Sequence, residues 1–176
     1  MKMGKQSEYY KFTQIRRRTK KSVLSQNLKK FFMDHRIREY CKHICKTQIE
    51  VLRIDQRTKV KFWDLPAMAV ICHNAQHTKF AKGYSHKPQG TKWHSILKRE
   101  LEKLKKLEKL DKIGKKSDIG KKYIIGNCAE QHAGNNFMNR MHVNKLGDLY
   151  FTEAVRPRTM EIFPYCENCK RVFPNL

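Results

Sequence analysis

Two cysteine-bearing segments far apart in the chain, Cys128-Ala129-Glu130 and Cys166-Glu167-Asn168-Cys169, constrain the fold more than any other feature. A fold that unites them gathers three thiols at one point. Three thiolates hold a zinc ion with one tetrahedral position left for water, whereas a structural site closes its shell with four protein ligands. Glu130 follows Cys128 by two residues, so it stands near such a metal as a proton carrier without being a ligand. Blander uses of the same residues stay open. Asn127 to Glu130 also spells N-x-x-E, in which Glu130 only satisfies a helix N-terminus. Cys166 and Cys169 serve equally well as half of a structural zinc ribbon, or as buried thiols.

The chain has 176 residues, enough for one domain with an extension and a core of ordinary size. Its cysteines are even in number, at six, but its first residues are polar and basic, with no apolar secretory segment. The reading is therefore thiols and metal in a reducing compartment, not a disulfide framework. The expected site of action is cytoplasmic, with any delivery or secretion by a route that uses no classical signal peptide. No apolar run approaches the roughly 18 residues that span a membrane, so no membrane partner is expected.

Net charge is +23, and its placement matters more than its size. Residues 1–61 hold 18 Lys+Arg against 5 Asp+Glu, residues 62–122 hold 15 against 6, and residues 123–176 hold 6 against 5. The motif-bearing segment is nearly neutral while the flanks are cationic. Nucleic acid, single-stranded DNA or RNA, is the partner such flanks fit, because Lys and Arg displace counterions condensed on phosphate. Solubility is the blander use of the same charge.

Residues 1–60 read as a basic helical extension and 61–176 as the domain proper. Residues 1–21 form an expected arm with a dense cluster, Arg16, Arg17, Arg18, Lys20 and Lys21, as candidate nucleic-acid contacts. Tyr9, Tyr10 and Phe12 beside it either stack on bases or dock on the core. From Ser22 to Ile54 the spacing of Leu24, Leu28, Phe31, Phe32, Ile37, Tyr40 and Ile44 is helical. Cys41 and Cys45 share one face at i, i+4, where buried thiols on an apolar stripe are commoner than metal ligands. Ala67 to Cys72 reads as a buried strand and Thr78 to Ser85 as a second, joined by a hairpin at Asn74 to His77. His73, His77 and His86 read as exposed loop histidines.

His94 to Ile113 is the clearest helix, with Ile96, Leu97, Leu101, Leu104, Leu107 and Leu110 on one stripe. Glu102–Lys106 and Glu108–Lys112 support it as i, i+4 pairs, Ser95 is a candidate cap, and Gly114 suits its C-terminal stop. A Gly- and Lys-rich connector follows to Lys122. The next helix runs from Cys128 to about Met141, which places Cys128 at a helix N-terminus that favours a thiolate. Leu149 to Val155 is the third strand, and a turn at Arg156-Pro157-Arg158-Thr159 leads to the last motif. Arg156 and Arg158 either grip a substrate phosphate or decorate a solvated turn.

The stretch from about Ala67 to Phe173 resembles the cytidine deaminase superfamily, and within it the bacterial toxin-type deaminases of the YwqJ kind. The residues that carry the likeness are Gly126-Asn127-Cys128-Ala129-Glu130-Gln131-His132-Ala133 and Pro164-Tyr165-Cys166-Glu167-Asn168-Cys169-Lys170. Tyr165 is a departure, because the family usually sets Pro directly before its C-x-x-C. Seven residues follow Cys169, room for one short helix, an ending that suits a toxin domain. The resemblance implies an α/β fold, a three-layer deaminase-like sheet with covering helices, the first two strands antiparallel and the motif helices side by side. It implies Zn²⁺ held by Cys128, Cys166 and Cys169, with Glu130 as the catalytic proton shuttle. It makes Tyr84, Ser85 and Asn127 candidate substrate-binding residues, to which Asn74, Arg156 and Arg158 are added. The implied reaction is hydrolytic deamination of a nucleobase, cytosine ahead of adenine. The implied partners are a nucleic acid and, for a toxin, an immunity protein. A free nucleoside deaminase and a non-catalytic, zinc-stabilised nucleic-acid-binding module are the alternatives.

Overall fold

The computed structural model of the protein describes residues 5–54, 65–110, 112–114 and 124–176, with residues 5–24 and 51–54 as backbone only. Its centre is β1 (Ala69–His73), a run of five residues that are all buried. Successive side chains of a strand point to opposite faces, so an unbroken buried run needs cover on both sides. β1 pairs antiparallel with β2 (Phe80–Tyr84), Ala69 opposite Tyr84 and His73 opposite Phe80. On its other edge it meets β3 (Tyr150–Phe151) and β4 (Ala154–Val155), and β4 pairs with β5 (Ile162–Phe163). The product is a five-stranded antiparallel sheet in the order β2-β1-β4-β5, with β3 also beside β1. Four helices accompany it among the described residues: α1 (Lys5–Ile54), α2 (Ser95–Leu107), α3 (Ala129–Met141) and α4 (Glu167–Val172).

The single third strand expected over 149–155 is two pieces because of a bulge. Cys72 faces Phe151 but Ala69 faces Val155, three residue steps against four. Thr152 repairs the ladder there. Its N–H donates to the Ile71 carbonyl at 3.0 Å and its Oγ1 accepts from the Ile71 N–H at 3.1 Å. Tyr165, the residue that separates Pro164 from Cys166, donates its hydroxyl to the Thr152 carbonyl at 2.7 Å. The departure from the P-C-x-x-C spacing thus ties the cysteine loop to the bulge.

Each face of the sheet has its own core. Val70, Cys72 and Ala81 pack with Leu97, Leu101 and Leu104 of α2, Ala129, Ala133 and Phe137 of α3, and Cys169 and Val172 of α4. Ala69, Ile71 and Val155 pack on the other face with Met33, Ile37, Tyr40, Cys41 and Ile44 of α1. The architecture is therefore three layers, but the third is supplied by the segment expected to lie outside the domain. Residues 33–44 of α1 belong to it by packing, so the boundary expected at 60 does not part them from the sheet. The arm expected over 1–21 is helical from Lys5, while the side chains of Arg16, Arg17, Arg18, Lys20 and Lys21, with those of Tyr9, Tyr10 and Phe12, lie outside the described residues.

Other expectations shift in detail. α2 stops at Leu107, and Lys109 in the left-handed region (φ 53°) carries the chain away, so Gly114 closes a later turn through its N–H to the Ile125 carbonyl. Leu107 is accordingly exposed. His94, not Ser95, holds the N-cap position of α2, and the His94 N–H donates to Asn135 Oδ1 of α3 at 2.7 Å. In place of the expected Glu102–Lys106 pair, this helix carries Lys103–Glu100 at 2.9 Å and Lys105–Glu102 at 2.6 Å, both i, i+3. Most of the connector after Gly114 lies outside the described residues.

α3 sits directly on β2 because residue 83 has no side chain: a Cβ there would fall among the backbone atoms of Ala129 and Ala133. Gly83→Ala is expected to cost about 3 kcal/mol or more, since backbone cannot step aside as a flexible side chain can. Gly147→Ala, which meets open space, should stay within about 0.5 kcal/mol, and urea denaturation measures both. On the opposite face, Ile37→Ala should cost about 2–5 kcal/mol whereas Phe31→Ala, at a residue 64% exposed, should cost close to nothing. Equal effects of the two would show that α1 does not seal the sheet.

Candidate metal centre

Cys128 is the N-cap of α3 and Cys166 the N-cap of α4, both with extended backbone, so two helix N-termini aim at one point. Cys169 reaches it from one turn into α4. The three Sγ atoms lie within 4.8 Å of one another, the single group among the described residues with three or more potential His, Cys, Asp or Glu ligands. Thiolates about 2.3 Å from a tetrahedral zinc stand about 3.8 Å apart. The Cys128–Cys166 separation of 3.4 Å shows that the cluster has this scale, and the donor set is one that zinc favours. Cys166 and Cys169 are buried and Cys128 is half-buried, with its surface on a cavity. All six cysteines are free.

The electrostatics suit a cation. Hydrogen bonds from the Cys128 and Cys169 thiols, with backbone N–H groups of α4, hold Cys166 well below the ordinary thiol range as a thiolate. Sharing that proton with Cys166 drives Cys128 up, and burial drives Cys169 up. Glu130 is buried, and its carboxyl is pushed up to about 7 by burial first and by the Cys166 charge after it. Its Oε2 accepts from the Cys169 thiol at 3.4 Å. A buried carboxyl raised toward neutrality beside a cluster able to hold a metal is what proton transfer requires. By contrast Cys41 is pushed up to about 12 by burial, a protonated core thiol, as its place on the α1 stripe implies.

A cavity of about 380 Å³ opens onto the cluster, walled by Met68, Ser85, Asn127, Cys128, Glu130, Arg156, Phe163 and Cys166 among others. An adjoining cleft of about 560 Å³ shares Ala67, Ser85 and Asn127 with it and adds Tyr84 and Arg158. Five of the six candidate substrate residues thus line these two spaces. Arg156 lies over the Phe163 ring at 3.9 Å and pairs with Glu161 at 3.5 Å. Asn74 does not join them. It sits at the hairpin end of β1, about 17 Å of strand from the cysteine end. There its Oδ1 accepts from the N–H groups of Thr78 and Lys79 at 2.9 and 3.0 Å, so it is a turn residue.

The sequence reading missed the polar residues that hold α3 in place. Gln131 is fully buried, and its Oε1 accepts from the Gly126 N–H at 2.7 Å, fixing the turn into Cys128. His132 is buried between rings, stacked on exposed His86 at 3.5 Å and on Trp93 at 5.2 Å, and burial pushes it down to about 4. His73, expected on an exposed loop, is buried and stacks with His77 at 4.3 Å. For Gln131 and His132 the available signal was their place inside the helical run after Cys128, and for His73 its place at the end of the apolar run from Ala67.

The chain matches no protein-family model, no curated protein and no solved structure. The site's own geometry carries the functional argument.

Two of the three thiols keep their protons in the metal-free cluster, and a metal must displace them. Zinc binding should therefore release about two protons, and apparent affinity should climb about a hundredfold per pH unit around neutrality. Calorimetry in buffers of differing ionisation enthalpy counts the protons. Cys128→Ser and Cys169→Ser should each weaken binding sharply, whereas Cys41→Ser should leave both the affinity and the proton count unchanged.

Proposed function

We propose that this chain is a zinc-dependent hydrolytic deaminase that acts on the exocyclic amine of a nucleobase, cytosine in a single-stranded nucleic acid. The observation that carries the reading is the triad of one cavity, three clustered cysteines and one buried carboxyl that titrates to about 7. The likeness of the two motifs to those of the cytidine deaminase superfamily supports it. So does a fold whose antiparallel β1–β2 pair backs onto α3, as that likeness implies. Adenine bears a comparable amine and is the second base to test. The likeness to toxin-type members extends the proposal to a weapon against foreign nucleic acid, whose producer needs an immunity protein.

Cys128, Cys166 and Cys169 would hold the zinc, which when bound supplies a Lewis acid that acidifies water at the open position. Glu130 takes a proton from the attacking water and delivers protons to the ring nitrogen and the departing ammonia. Water and the amino base are consumed, and ammonia and the keto base are produced. Asn127 and Ser85 on the cavity wall offer hydrogen bonds to orient the base, and Arg156 offers charge to a phosphate. Phe163 offers an apolar face for the ring.

One observation favours a second reading. The Glu130 carboxylate lies 3.4 Å from Cys169 Sγ, close enough to the cluster to complete a four-ligand, structural zinc site. The chain would then be a zinc-stabilised nucleic-acid-binding module. Glu130→Gln separates the two. A deaminase should lose about 10²–10⁴-fold in turnover of a cytosine-containing single strand and keep its zinc affinity. A structural site should lose zinc affinity, with no ammonia released by either protein. Ammonia release and zinc titration on both proteins decide the matter.

A further inference from the structure

The metal cavity does not stand alone. Beside the cleft that it meets at Ser85 and Asn127, a third space of about 390 Å³ adjoins it at Ile124 and is walled by Trp93 and Lys112. The two outer spaces also share a wall, Lys87, whose side chain is exposed. Three spaces in mutual contact, with the reacting groups in one and a cation between the other two, form a groove that one small substrate does not fill. A nucleoside has the bulk for the metal cavity, since pockets of about 300–1,000 Å³ enclose most of a drug-sized ligand.

The chemistry of the outer spaces is that of a strand. The cleft at one side carries Arg158 with the Tyr84 and His86 rings, 5.0 Å apart. The space at the other side carries Lys112 and the Trp93 indole. Cations that meet phosphates, alternating with ring faces that meet bases, are how single strands are held without reading sequence.

We propose that this groove seats the nucleotides on both sides of the target, with Lys87 as the phosphate contact between them. Resting on the deaminase reading only for what enters the middle cavity, the inference makes strand length a determinant of affinity. Lys87 then discriminates a polymer from a free nucleoside, independently of the basic N-terminal cluster.

Oligothymidylates of one, three and five nucleotides test it on the full chain, because thymine has no exocyclic amine and their binding is independent of the chemistry. Fluorescence anisotropy at fixed salt should show at least tenfold tighter binding of the five-nucleotide strand than of the mononucleotide. Lys87→Glu should weaken the longer strand about tenfold. Lys79→Glu, an equal change of charge at the distant hairpin, should weaken it no more than twofold. Equal affinity for one and five nucleotides overturns the groove, as does no measurable binding of the longer strand or an equal effect of the two charge reversals. Tight, Lys87-dependent binding with no ammonia release from either cytosine or adenine strands would leave the groove standing and remove the deaminase reading.

Discussion

The absence of a side chain at residue 83 is the constraint on which the site depends. It lets the backbone of α3 lie against β2 at Ala129 and Ala133, one residue and five residues beyond its cap at Cys128. Because the contact is backbone on backbone, the first turn of α3 has little freedom to slide along the sheet. Ser85 follows Gly83 by two residues and walls the cavity, so the same contact fixes Cys128 and Glu130 relative to the groove. A second constraint feeds the helix. Gly126, in the left-handed region at φ 88°, turns the chain into the cap, and Gln131 holds its N–H. A side chain at Gly126 would meet Ile113 and Pro88, so this turn is packed as well as strained.

Three negative sulfurs are a poor setting for acidifying water, because they lower the effective charge of the metal. The fold opposes this from the protein side. N–H groups of Asn168 and Cys169 donate toward Cys166, and the N-terminus of α3 faces the cluster through Cys128. Withdrawing density from the sulfurs would leave more Lewis acidity on a metal held there. Burial of Glu130 acts in the same sense on the other partner, since a carboxyl raised to about 7 is a stronger base than an exposed one. The weaker acid and the stronger base are thus brought toward each other by opposite uses of the environment: hydrogen bonds on one and desolvation on the other.

Half of the cysteine cluster was legible because its spacing is local: a cap and its third helical residue, Cys166 and Cys169, converge when a helix forms, whereas Cys128, 38 residues before Cys166, was joined to them by the resemblance of the two motifs. β1 was legible because a buried strand writes itself as a short apolar run. The role of α1 was not, and the reason is dimensional. A five-residue strand spans about 17 Å and strands lie about 4.8 Å apart, so a sheet this small covers about 12 residues of helix at 1.5 Å each. Residues 33–44 are that many. Leu28, Phe31 and Phe32 continue the same apolar spacing and are more than half exposed. Periodicity shows which side of a helix is apolar but not how far the surface beneath it extends. The groove was illegible for a related reason, since Lys87 and Trp93 lie in the connection between β2 and α2 while Ile124 lies some thirty residues further on, and only the fold brings them together.

The basic flank and the fold are consequently one object. α1 bears the sequence cluster Arg16 to Lys21 near one end, seals Ala69, Ile71 and Val155 in its middle, and lends Gln48 to the cleft beside the metal cavity. Were it only an appended arm, deleting it would remove nucleic-acid affinity and leave the site intact. Sealing the sheet forbids that separation: its loss exposes Ala69 and Ile71, the buried residues that β1 turns toward α1. Charge reversal on exposed positions is therefore the only clean way to divide polyanion binding from folding. Lys and Arg exceed Asp and Glu by 13 over residues 1–61 and still by 9 over residues 62–122, so charge marks out the near-neutral cysteine segment. It does not record where the domain begins.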